Sequence, residues 1–157
     1  MRQPSPTLVV GIGGTGANVI WQLRKLFFSK HGNINPHSCL QYLYVDLVDD
    51  QYRSWLDEEP PAIALSSNEK LVLNLPALSL DIISDAIPWI ADGPLVGTGS
   101  SRLVGRVIAI KNGDSIRSAI TTQLKGLDSQ IRNRDDRNGL NLIVVASLGV
   151  AQAVECC

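Results

Sequence analysis

Four groups of residues have types and spacings suited to chemistry. The first is the glycine run in LVVGIGGTGANVIWQL, residues 8–23. Glycines at 11, 13, 14 and 16 let a backbone turn sharply off a strand and come close to a phosphate. The amide groups opening the next helix then face the anion, with the positive end of the helix dipole behind them. A Cβ at Gly13 or Gly14 would stand where the ligand goes, and Thr15 adds a hydroxyl donor. The second group is GPLVGTGSS, residues 93–101, where successive glycines can form a nest of N–H groups for a further phosphate. The third is Asp46, closing the run YLYVD. The fourth is His31, His37 and Cys39, which have no evident fourth ligand, so no metal site is expected. Two histidines in the whole chain leave little room for a Ser/His/Asp or Cys/His constellation, and no catalytic residue is assigned.

Each group has a plain structural alternative. The first glycine run also serves as a tight strand-to-helix packing turn with no ligand. Asp46 also serves as a turn residue capping the next element, and GPLVGTGSS as a loop before a helix.

The elements that must position these residues follow from periodicity. Residues 7–12 are apolar and β-branched on both alternations, as in a strand covered on both faces. A helix follows, with Val19, Ile20, Leu23, Leu26 and Phe27 as its apolar face and Gln22, Arg24 and Lys25 on the other. Residues 39–47 read as a second strand ending near Asp46, 49–56 as a short helix, and 71–75 as a weak third strand. Residues 80–90 read as a helix broken or kinked at Pro88. Another helix runs through Ile110, and a further one covers 114–131. The charged stretch 132–141 reads as a solvated turn, and LNLIVVASL, 140–148, as a buried strand. Trp21, Trp55 and Trp89 read as packing residues. Strands alternating with helices predict an α/β fold with a doubly wound, mostly parallel sheet.

Composition sets the outer bounds. The chain has 157 residues, 45% hydrophobic and 18% charged, with a formal net charge of −1. This suffices for one packed domain and is too little for two. The balanced charge argues against bulk attraction to nucleic acid or anionic membrane. No stretch is apolar and long enough to span a bilayer. Three cysteines, two of them adjacent at positions 156 and 157, are no disulfide framework and suit a reducing cytoplasm.

Two nucleotide classes fit the glycine run. In a dinucleotide-binding fold, Asp46 would accept from a ribose. The interval from Gly16 to Asp46 exceeds the roughly 20 residues of that fingerprint, with the loop at 30–38 taking up the excess. An NAD- or FAD-binding module of an oxidoreductase is therefore one reading. A nucleotide-free interaction domain that keeps the fold is another.

GIGGTGANVI, VDLVDDQY and GTGSSRLVGRVIA, in that order, resemble the nucleotide-binding half of the tubulin/FtsZ superfamily, and most closely the bacterial tubulin-like proteins. The family's GxGGxGxN loop matches Gly11, Gly13, Gly14, Gly16 and Asn18, and the resemblance implies that Asn18 contacts guanine. Asp46 resembles the acidic residue after the family's second strand. The later GAGxNPxxGR loop, which grips the terminal phosphate, falls on Gly97, Thr98, Gly99, Ser100, Gly105 and Arg106. Here Thr98, Ser101 and Arg102 depart from its pattern. The ligand so implied is GTP or GDP with magnesium, and a full-length parent would self-assemble. A triphosphate carries more charge than a dinucleotide's pyrophosphate, which suits a chain with more than one glycine-rich donor loop.

In that family the fourth strand is interior and leads directly into GGGTGSG, a third phosphate loop. Here IVVASL runs into GVAQAVECC. These nine residues can be encoded GGN GTG GCA CAG GCA GTG GAA TGT TGT. One G inserted after the first codon makes them read GGGTGSGML. The expected organisation is therefore a partial nucleotide-binding domain over 7–149 and an out-of-frame tail over 150–157. Such a chain lacks the family's acidic activating loop, binds phosphate less well, does not turn over GTP or polymerise alone, and exposes its fourth strand as an apolar edge. The DNA beyond the Gly149 codon is expected to continue a tubulin-like domain in the next reading frame; sequencing that locus decides the point, and a locus without such a continuation refutes it.

Overall fold

A computed structural model describes residues 5–35, 39–47, 63–73, 102–132 and 139–146. The expected helices at 49–56 and 80–90, Trp55, Trp89, His37 and the tail 150–157 lie outside these residues.

Strand β1 (Thr7–Ile12) is buried along all but its last residue, as its unbroken apolar run requires. It pairs in parallel with β2 (Leu40–Asp46), from Thr7 opposite Leu40 to Ile12 opposite Val45. On its other side it pairs in parallel with β4 (Asn141–Ala146), from Thr7 opposite Asn141 to Ile12 opposite Ala146. Strand β3 (Lys70–Val72) adds in parallel outside β2. The sheet order is β3-β2-β1-β4. The chain winds outward from β1 to β3 and then crosses back to β4, so winding reverses between β1 and β4. That reversal is the point at which open α/β sheets open a crevice at their carboxyl ends.

Helices cover both faces. Helix α1 (Gly13–His31) packs Ala17 and Ile20 against Val9, Tyr42 and Tyr44. Helix α3 (Gly113–Arg132) packs Leu127 against Leu8, Val10, Leu43 and Val45 on the opposite face. Helix α2 (Arg102–Lys111) packs against α3. The expected doubly wound, parallel α/β architecture is what the chain adopts. Gly32, at φ 65°, caps α1 by donating its N–H to the Phe28 carbonyl. Asn35 then fixes the entry to β2, its side chain donating to and accepting from the Leu40 backbone at 2.8 and 3.1 Å. Among the described residues no helix is long and apolar enough to cross a membrane.

Helix α1 differs from its expected facing. Val19 and Leu26 are exposed, whereas Arg24, placed by periodicity on the outer side, is 1% exposed. Its guanidinium is paid for by three acceptors: Nε donates to the Ile63 carbonyl at 2.7 Å, Nη2 to the Ala64 carbonyl at 2.6 Å, and Nη1 to Glu69 Oε1 at 2.8 Å. The guanidinium also lies 5.0 Å from the centre of the Tyr42 ring, within range of a cation–π attraction. Glu69 is itself held, its Oε2 accepting from the Ser66 backbone and hydroxyl at 2.8 and 2.9 Å. Burial raises the Tyr42 phenol from its ordinary 10.0 to about 12, so it stays neutral at physiological pH.

Strand β4 is the sheet's edge among the described strands, with Leu142, Ile143 and Val144 at 57%, 47% and 56% exposure; the run that composition reads as a buried strand stands as the exposed apolar edge expected of this chain. Among the described residues β4 has β1 on one side only, so its outer N–H and C=O groups form an open edge on an apolar, uncharged strand, which invites pairing with another chain.

Two outcomes follow. Arg24→Ala is expected to lower stability by about 3–5 kcal/mol in urea unfolding, because it strands a partly buried carboxylate and two carbonyls; a loss below about 1 kcal/mol contradicts the role given to the guanidinium. The chain is expected to self-associate at micromolar concentration in sedimentation velocity, and Ile143→Lys to shift it toward monomer. Monodisperse wild-type monomer contradicts the open-edge account.

Candidate functional site

The parallel sheet brings the carboxyl ends of β1, β2 and β4 to one edge, and the glycine run lies there. No loop intervenes between β1 and α1: Ile12 ends the strand and Gly13 begins the helix. Gly13 makes the turn at φ 68°, a left-handed conformation costing other L-residues roughly 1–2 kcal/mol. A Cβ at Gly13 would meet nothing within 4 Å, so its constraint within the protein is conformational. The steric constraint falls on Gly11 and Gly16. A Cβ on Gly16 would lie 2.6 Å from the Gly11 Cα and 2.9 Å from the Val145 carbonyl oxygen. One on Gly11 would lie 2.6 Å from the Gly16 carbonyl oxygen and 2.7 Å from Ile20 Cδ1. These two glycines let the first turn of α1 sit directly on β1 and the tip of β4.

The helix start is electrostatically open to an anion. Its N-cap, Ile12, supplies no side-chain cap hydrogen bond, and the first turn holds no acidic residue. The first N–H groups of a helix have no partner within it and carry the positive end of the dipole. Thr15 and Asn18 are exposed on this turn and the next, and Gly14 is half-buried.

Asp46 stands on the neighbouring strand, one residue beyond the level of Ile12. Adjacent strands lie about 4.8 Å apart, so the half-buried carboxylate flanks the Gly13 turn. Its Oδ2 accepts from the Tyr44 hydroxyl at 2.6 Å, and its Oδ1 from the Leu47 N–H at 2.7 Å. Its backbone carbonyl accepts from Leu73 N–H at 2.7 Å, tying β2 to the end of β3.

Thus Gly11, Gly13, Gly14, Thr15, Gly16, Asn18 and Asp46 come together at one sheet edge. Gly97, Thr98, Gly99 and Ser100 lie outside the described residues. Arg106 is exposed on α2, a helix whose described packing is against α3. Among the described residues no three His, Cys, Asp or Glu side chains gather as metal ligands; His31 stacks on Phe27 and Cys39 is buried. Tyr44 is the functional candidate that the sequence reading passed over. Its signal was the period of two in YLYVD, which puts Tyr42, Tyr44 and Asp46 on one face.

The family model described as Tubulin like matches residues 8–149, a span that includes every residue placed at this edge. No curated protein and no solved structure matches the chain.

The two kinds of glycine constraint are separable. Gly16→Ala is expected to destabilise at the upper end of the roughly 1–3 kcal/mol of overpacked sites or beyond, since its neighbours are backbone atoms that cannot swing aside. Gly13→Ala is expected to cost about 1–2 kcal/mol. Urea midpoints at matched slope measure both; a milder effect at Gly16 than at Gly13 refutes the assignment.

Proposed function

The chain belongs to the tubulin-like family, and from that premise we propose that it binds a guanine nucleoside triphosphate at the carboxyl edge of its sheet without turning it over alone. The observation that carries this reading is the uncapped, acid-free start of α1, launched without a loop from the central strand. A phosphate there accepts from the first-turn amides and lies along the helix dipole. Thr15 adds a hydroxyl, Asn18 contacts the base, and Asp46 meets the sugar or a phosphate-bound magnesium from the adjacent strand. Gly97, Thr98, Gly99, Ser100 and Arg106 supply a second donor set.

The absence of turnover rests on the residues after β4. The family match stops at Gly149, just before the stretch whose shifted reading restores GGGTGSG. We read 150–157 as out of frame, which removes one phosphate loop and weakens binding.

Equilibrium dialysis against GTP and NAD, with phosphate release followed in parallel, tests the proposal. Expected are saturable GTP binding, no comparable NAD binding and no phosphate release above a buffer control. Because a ligand binding only the folded state stabilises it by about 2.7 kcal/mol at a hundred times its Kd, GTP should also raise the melting midpoint. Selective NAD binding would instead identify the edge as the cofactor site of an oxidoreductase module.

A further inference from the structure

Residues 66–73 are held to the sheet mainly from outside. They comprise the turn Ser67–Glu69 and β3. None of them is buried, whereas Ile63 and Leu65 just before them are 1% and 5% exposed. Leu71 and Leu73 pack only partly against the cluster beneath α3. A three-residue strand with half-exposed side chains gains little from apolar burial. Two buried polar side chains grip it instead. Arg24 donates from Nη1 to Glu69 Oε1 at 2.8 Å. Gln123, 4% exposed on α3, donates to the Asn68 carbonyl. The two reach adjacent residues from opposite faces of the sheet. The Ser66–Glu69 capping box stiffens the turn they hold, because Glu69 Oε2 accepts from Ser66 while Oε1 takes the guanidinium.

The gripped segment runs to the candidate site. Lys70 follows Glu69 directly, and β3 sets Lys70, Leu71 and Val72 opposite Tyr44, Val45 and Asp46. Leu73 N–H then donates to the Asp46 carbonyl at 2.7 Å. Docking of 66–73 thus pairs β2 through its last residue, and undocking frees the strand end that flanks the Gly13 turn. Segments with few buried apolar contacts open locally at a lower free energy than the whole fold. A ligand that requires the end of β2 in place is linked to docking, and the linkage is reciprocal.

We propose that Arg24 and Gln123 are positioning residues that clasp 66–73 onto β2, and that closure of this clasp is coupled to nucleotide binding at the sheet edge. This rests on the nucleotide-binding reading above. Arg24 acts at a distance, since it lies 11 residues along α1 from Gly13, roughly 16 Å at the helical rise.

The test is hydrogen exchange followed by mass spectrometry, with and without GTP, on the full chain and on its Arg24→Lys and Gln123→Leu variants. Lysine keeps the charge and loses the fork, and leucine keeps the bulk and loses the donor. Each variant should speed exchange of 66–73 by about tenfold or more while β1 and the first turns of α1 keep wild-type protection. GTP at a hundred times its Kd should slow exchange of 66–73 by roughly a hundredfold and leave fraying at Ser29–His31 unchanged. GTP affinity should fall in each variant by the fraction of chains left undocked. Unchanged exchange of 66–73 in both variants overturns the clasp. So does exchange that rises equally in β1 and α1, the mark of a merely structural role. Local exchange that saturating GTP does not slow overturns the coupling and leaves GTP binding standing. A wild type with no saturable GTP binding removes the nucleotide-binding reading and the coupling with it.

Discussion

The contact between Gly11 and Gly16 is the constraint on which the rest of the arrangement depends. Two backbones with no Cβ between them let α1 leave β1 without a loop and lie against it at once. That closeness fixes where the helix amides emerge relative to the tips of β2 and β4. Were the helix pushed off the strand by even one methyl group, the first-turn amides and Asp46 would no longer border the same space. The catalogue of polar groups would be intact, but its geometry would be lost.

The other end of α1 is held by a different kind of interaction. Arg24 draws the backbone of residues 63 and 64 and the carboxylate of Glu69 onto the helix from 39 to 45 positions away. Gln123 reaches the same segment from α3, donating to the Asn68 carbonyl. The turn before β3 is therefore held by one helix from each side of the sheet. A buried guanidinium is costly to desolvate, and its Coulombic gain only partly repays that. Its structural return is directional: a planar fork with five donors fixes two carbonyls and a carboxylate in one relative orientation, which an apolar contact cannot do.

How much of this was legible in the sequence divides along the same line. β1, β2, α3 and β4 were readable to within a residue or two because their apolar periods are strong, and α1 was readable as a helix although it begins at Gly13, inside the glycine run expected to precede it. The short β3 was placed near its true position, Lys70–Val72, despite weak patterning. The assembly of the first glycine run with Asp46 was legible because parallel strands must carry their ends to one edge. Burial of Arg24 was not, since its acceptors are distant in sequence and a local period counts any arginine as outward-facing. The exposure of Leu142 and Val144 is not in the apolar run itself, which specifies a strand but not how many neighbours it has; it was expected only from the departure of GVAQAVECC from the family's loop. Gly11 and Gly16 were visible as glycines, while their mutual contact required the helix to be in place.

Asp46 and Ile63 are each anchored by the fold, one through β2 and β3, the other by Arg24. The connection between them thus starts and finishes at fixed points that owe nothing to its own composition.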